Sequence, residues 1–333
     1  MPRQPLRTKG LAVLAVLVIL LFNLAHSSPI ELQTRIPSTS VANHPINGIS
    51  DFHPTSMAAY EAGDTNEDVA ICLAIKDEYH DLTEWLVHHY NHHNIRRFYI
   101  MDDGSNPKMS SYDYSQFVDE RVLTHRYMDP ATRHKATQQH VIYNQCISEF
   151  GAKHKWMGFI DTDEFLEVKA PDTLHGMLTQ LGSNPTVGAL GVNWLNHNSN
   201  GLEQRPPGKG VRESFTQCLK DEAKIDHGGN NHIKSFVKTE AWEGAGWLHK
   251  AQLKEGYETV GENGDVVTGA YDRVPSTKNK IVLHHYATKS KGEYEVRLQR
   301  GDAMEGNLRG EKYWKEMKEA PSYECMEMVA YSP

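Results

Sequence analysis

Two aspartates set two residues apart, Asp161 and Asp163, with Glu164 beside them, end a short apolar run in "KWMGFIDTDEFLEV". Three acids at the end of a buried-looking segment repel one another and resist desolvation, so something cationic must offset the cost. In an extended chain, residues two apart face the same side. One hard divalent cation, Mn2+ or Mg2+, suits such an all-oxygen pair and would share its coordination with a substrate phosphate. The chemistry predicted is Lewis-acid assistance to a departing diphosphate. Glycosidases also use paired carboxylates, but theirs flank the scissile bond from opposite sides, which neighbours on one strand cannot do. The plainer alternative is a solvated loop or helix start where acids favour the dipole. The apolar approach before the acids, and Phe165 and Leu166 after them, argue against it.

A second acidic signal is "MDDGS", Met101 to Ser105, where Asp102 and Asp103 could accept hydrogen bonds from a nucleoside. Taken alone, Asp-Gly-Ser is an ordinary turn. The histidines of "HHYNHH" stand one helical turn apart, as zinc ligands do, but no His-Glu-x-x-His frame is present and a structural role is expected. "HHYATKS" follows another apolar run, "KIVL", so one of its histidines could join the acids as a further ligand, with Lys289 facing phosphate charge. A core histidine is the bland alternative for each.

Positioning these residues requires alternating elements. "EDVAICLAI" (67–75) reads as a strand, and Asp81 with Glu84 three residues on as a capping-box helix start, with Leu82, Trp85, Leu86 and Tyr90 at helical spacing. "RRFYIM" (96–101) and "RVLTHRY" (121–127) are expected strands, 131–150 a helix and "WMGFI" (156–160) a fourth strand. Strands alternating with helices call for right-handed crossovers and an α/β fold with a mostly parallel sheet. Ligand sites in such sheets lie beyond the carboxyl ends of the strands. Lys76, Asp77 and Glu78, then Asp102 to Ser105, then Asp161, Asp163 and Glu164 should therefore meet at one rim.

The 333 residues allow a large core, and 39% hydrophobic and 23% charged content is that of a globular protein. A net charge of −8 with scattered Lys and Arg leaves no electrostatic footprint for nucleic acid. Residues 1–10 form a basic tail and 11–26 an apolar segment, "LAVLAVLVILLF" at its heart, that is shorter than the ~20 residues of a comfortable span. A signal anchor and a cleaved signal peptide compete here; both send the chain into the secretory pathway, and an anchor would leave the remainder in the lumen. Residues 27–66 read as a stem and 67–331 as the catalytic domain. Cys72, Cys146, Cys218 and Cys325 allow three full disulfide pairings, or buried thiols.

The order of motifs is similar to that of a known family. "KDE", "EWLVHHY", "FYIMDDGS", "QQHVIYNQC" and "WMGFIDTDEFLEV" are followed by "VNWLNHNSNG", "HIKSFVK" and "HHYATKSKGEYEVRLQRGDA", over residues 67 to 305. This resembles the family 92 glycosyltransferases, whose fold is similar to that of GT-A enzymes. The resemblance implies a single GT-A-like domain, nucleotide half first and acceptor half second, in a type II Golgi membrane protein, secreted if the leader is cleaved. It implies an inverting, metal-dependent transfer from a UDP-sugar, with galactose the expected hexose, to a glycan acceptor. Carried over, Asp161 and Asp163 match the metal and diphosphate pair, Asp103 with Asp102 the acid at uracil or ribose, and Lys76 and Asn144 positions near the nucleotide. His285 matches a late metal ligand and Lys289 a diphosphate contact.

Inversion needs a base to deprotonate the acceptor hydroxyl. Glu213, Asp221, Glu222 and Asp226 are the acids of the expected region, with Glu213 and Asp226 preferred. Trp194 and Trp242 could stack on sugar rings, but core packing is the expected role of each. Two rival functions keep the same residues: a sugar- or nucleotide-binding protein without transfer, and a metal-dependent phosphotransferase or hydrolase acting on the donor alone.

Overall fold

The computed structural model describes residues 67–132, 137–226, 228–301 and 310–331. The tail, anchor and stem expected over residues 1–66 lie outside the described residues. Among those described, no helix is long and apolar enough to cross a membrane.

Strand β1 (Val69–Ile75) is apolar throughout, as a strand covered on both faces must be. Its alternation divides two cores. Val69, Ile71, Leu73 and Ile75 pack with Leu82, Trp85 and Leu86 of α1 (Tyr79–His92). Ala70 and Cys72 pack on the other face with Ile142, Tyr143 and Cys146 of α2 (Gln138–Phe150). A disulfide joins Cys72 to Cys146 across that second contact. Strands β2 (Phe98–Asp102) and β3 (Leu123–Tyr127) extend the sheet from one edge of β1, and β4 (Trp156–Phe159) pairs with the other; all four are parallel.

Next come β5 (Glu164–Val168), α3 (Leu174–Gly182), the long β6 (Val187–Asn196), a single-turn α4 (Val211–Ser214) and β7 (Gln217–Leu219). Then follow β8 (Ile233–Lys238), the hairpin of β9 (Trp242–Trp247) and β10 (Lys250–Leu253), β11 (Glu258–Val260) and β12 (Ile281–His285). Helices α5 (Lys291–Arg300) and α6 (Glu311–Glu319) precede β13 (Ser322–Glu324). The central sheet runs β3-β2-β1-β4-β8-β6-β12-β5, with β11 beside the first half of β6. Only β8 and β5 run against the rest, so the expected α/β class with a mostly parallel central sheet is what the chain adopts.

Several local expectations change. The capping box at Asp81 and Glu84 is absent: α1 starts earlier, after Glu78, with no side-chain cap. Asp81 instead binds Lys289 and Arg205, and Glu84 accepts from the Val211 amide and the Arg212 guanidinium, docking α4 on α1. Helix α2 starts at Gln138, not at 131. Two disulfides replace the alternative of buried thiols, the second joining Cys218 of β7 to Cys325 beyond β13.

Candidate active site

The strand ends meet as the alternating pattern requires. Lys76 and Glu78 beyond β1, Asp103 beyond β2, and Asp161, Thr162 and Asp163 beyond β4 line one pocket with Gln139 of α2 and Arg297 and Arg300 of α5. The pocket holds about 100 Å³, less than a nucleotide-sugar needs, but adjoins a cleft of about 670 Å³ that shares Glu78, Arg297 and Arg300.

The cations that three neighbouring acids demand come from distant elements. Lys234 of β8, 2% exposed, donates to Asp161 Oδ2 at 2.6 Å and lies 3.3 Å from Glu164 Oε2. Burial works against its charge, but Asp161 and Glu164 outweigh that and hold its pKa well above the usual lysine value. Arg297, 27% exposed, donates to Asp163 Oδ2 at 2.7 Å and to the Ala287 carbonyl. Two cations thus match two aspartates, and Glu164 is the third acid. Burial raises the Glu164 carboxyl to about 8 against the pull of Lys234, with Asp161 and Asp163 adding to the rise. Its oxygens accept from the Trp194 indole and the Asp161 amide, so Glu164 braces the turn that presents both aspartates. Asp161 is held further by Gln139 and by the Tyr143 hydroxyl.

At the end of β12, His285 is oriented by Asn196 at the end of β6. The Asn196 amide group donates to the Gly228 carbonyl and to Asn230 Oδ1, so its own oxygen must accept from His285 Nδ1 at 2.8 Å. Nδ1 therefore carries a proton, and Nε2 stands 3.8 Å from Asp163 Oδ2. Two donors about 2.1 Å from one octahedral ion lie about 3.0 Å apart when cis and about 4.2 Å when trans. At 3.8 Å, Asp163 Oδ2 and His285 Nε2 stand between those two separations, so a small side-chain shift would bring them onto one divalent ion, with Asn196 as the outer partner that fixes the imidazole. Asp161 does not complete a preformed set. Among the described residues, the three-ligand group with all donor atoms within 4.8 Å of one another is His197, Cys218 and Cys325. Its cysteines are spent in a disulfide.

Residues 67–322 match glycosyltransferase family 92. The chain belongs to this family. Among curated relatives, a family 92 protein of Oryza sativa subsp. japonica is 26% identical over 198 residues, 58% of this chain and 31% of its own length. One of Ricinus communis is 24% identical over 227 residues, 67% of this chain and 36% of its own. The chain spans about a third of the length of these relatives. Solved structures resemble it distantly. The mannosyltransferase PcManGT from Pyrobaculum calidifontis, in complex with GDP-Man and Mn2+, has a TM-score of 0.31 and 20% identity over 38% of this chain and 35% of its own. The mannosyltransferase Ktr4p from S. cerevisiae has a TM-score of 0.28 and 12% identity over 47% and 45%.

Within this family 92 domain, Lys76, Asp103, Asp161 and Asp163 line the pocket, and His285 stands against Asp163. Other candidates lie elsewhere. Both Asp102 oxygens accept backbone amides, from Ser105 and Met109, so this aspartate builds the turn that presents Asp103. Asn144 faces away on α2 and accepts from the Ala245 amide of β9. Lys289 sits in the adjoining cleft, bound to Asp81. Of the base candidates, Glu213 pairs with Lys209 on α4, and Asp226 pairs with Lys312; neither lines the pocket or the cleft. Trp194 and Trp242 are buried in packing roles.

Sequence reasoning passed over Gln139, Thr162, Arg297 and Arg300, which line the pocket, and Gln138 behind it. Gln138 donates to Asp103 Oδ1 at 2.9 Å, and Gln139 reaches Asp161. Their signal was available: the first turn of a helix entering after a parallel strand faces the carboxyl-end rim. Glu78 accepts from Thr162 and from Arg300, linking the ends of β1 and β4 to α5. As expected for "HHYNHH", His88 and His93 bond the Leu166 carbonyl and His89 the Trp85 carbonyl, all within the core.

Proposed function

We propose that the domain transfers a hexose, with galactose the expected sugar, from a UDP-sugar to a glycan hydroxyl with inversion and with a divalent ion. The observation that carries this reading is His285, held by Asn196 with its Nε2 at 3.8 Å from Asp163, at a cation-lined rim within a family 92 domain. A bound Mn2+ or Mg2+ would supply Lewis-acid neutralisation of the leaving diphosphate, held by Asp163 and His285. Lys76, Arg297 and Arg300 place positive charge around the same space for the diphosphate oxygens. Asp103, braced by Gln138, offers an acceptor to nucleoside O–H or N–H groups. Arg297 is exposed enough to leave Asp163 for a phosphate, whereas Lys234 stays with Asp161. Asp161, about a third exposed and lining the pocket, stands beside Asp163 as the second carboxylate of the metal pair. The basic and apolar leader and the two disulfides support a lumenal, Golgi-membrane setting for the domain.

One observation favours a second reading, a nucleotide- or sugar-binding protein without transfer: neither Glu213 nor Asp226 reaches the pocket. A purified domain incubated with a panel of UDP-sugars, Mn2+ and mixed glycans separates the two. Glycan-dependent UDP release that stops with chelator and returns with Mn2+ is the expected result. Mn2+-dependent UDP binding with no release would establish the binding protein, and release indifferent to glycan would indicate donor hydrolysis.

A further inference from the structure

Strand β9 ends on Trp247, 67% exposed, whose indole meets the half-exposed ring of Tyr271 at 6.0 Å and 78°. A single exposed aromatic is unremarkable on a protein surface. This pair differs because it is the outer end of a continuous ring stack. Tyr271 packs on His232 and His249, each at 4.9 Å. Those two rings pack on Trp194, at 4.9 and 4.8 Å, and Trp194 stacks at 3.9 Å on His285, the residue beside Asp163. His249 is itself fixed through Nδ1 to the Ile233 carbonyl.

Sheet order decides which substrate this surface can meet. The order β2-β1-β4-β8-β6 puts the nucleotide-side residues, Asp103 and Lys76, on one side of Asp161. Lys234 and His232, at β8, and Trp194, of β6, lie on the other. A nucleotide that occupies the first side leaves the second to whatever attacks the anomeric carbon from the opposite face. Two rings held near a right angle offer ring-sized walls, preorganised by the stack beneath them, with imidazoles and a phenol at their edges. That combination suits a pyranose, which has an apolar C–H face and a hydroxyl rim.

We infer that Trp247 and Tyr271 form the binding shelf for a sugar ring of the acceptor glycan. The inference rests on the transferase reading for the word acceptor, but glycan binding at the shelf can be measured without turnover. Wild type, Trp247→Ala and Trp247→Phe are compared on an array of neutral oligosaccharides, alongside titration with UDP and Mn2+. Trp247 is exposed, so folding is not at stake. The expected result is a loss of about tenfold in glycan binding for Trp247→Ala, with most binding kept by Trp247→Phe and UDP binding unchanged in both. Equal glycan binding by wild type and Trp247→Ala overturns the shelf, and so does a wild type that binds no glycan on the array. A shelf that passes this test in a protein that never releases UDP would leave the glycan site standing and remove the transferase reading.

Discussion

Lys234 is the residue on which the acidic turn depends. It neutralises Asp161 and lies beside Glu164 where almost no water reaches. Lys234→Met keeps the volume and removes the charge, leaving the partly exposed Asp161 and the buried Glu164 without their cation; a loss of about 1–3 kcal/mol is expected in urea denaturation. A variant as stable as wild type would show that Asp161 finds another partner. At the metal pair, Asn196→Ala removes the acceptor that sets the His285 tautomer and should weaken Mn2+ binding by about 10–100-fold. Unchanged Mn2+ titration would take His285 out of the site. The acids were legible in the sequence because they follow apolar runs of strand length. Their cations were not. Nothing in "HIKSFVK" separates Lys234, which binds Asp161, from Lys238, which caps the Gly182 and Asn184 carbonyls.

Among elements, the four parallel strands and their helices were readable from apolar runs, but the insertion of β8 between β4 and β6 was not, because pairing partners leave no local trace. That insertion sets a tight contact. Gly158 of β4 lies under the Phe236 ring of β8, and a Cβ there would sit 2.5 Å from it. Gly158→Ala should destabilise the domain by about 1–3 kcal/mol through overpacking, read as a lower denaturant midpoint. A neutral result would mean that the ring can tilt aside. Helix α2 was legible as a helix but not in its start. Asn144, carried over from the resemblance, faces β9, whereas the true first turn brings Gln138 and Gln139 to the rim. The segment after β6 was the least legible. Its acids are drawn to surface lysines, and its contribution to substrate binding would come from the aromatic hairpin instead.

At the scale of the molecule, a buried histidine cluster ties stability to pH. Burial lowers the His93 pKa from 6.5 to about 4, and His88 and His89 are lowered in the same direction for the same reason. A group whose folded pKa is depressed stabilises above its unfolded value and loses that contribution as pH falls through the folded one. Between pH 6.5 and 4 the His93 contribution to be lost amounts to about 3 kcal/mol. Denaturation midpoints should fall steadily over that window and fall less in His93→Gln; parallel curves would rule the cluster out as the cause.

The cations supplied by the chain itself have a consequence for how the protein matures. With Lys234 and Arg297 already set against the aspartates, the rim is no knot of like charges waiting for an ion. The polypeptide can finish folding before it meets any metal, so prolonged dialysis against chelator should silence turnover while the melting curve stays where it was. A collapse of that curve would make the ion part of the scaffold. Under the transferase reading, an unmoved curve would leave ion supply to govern when this protein works, with no say in whether it survives.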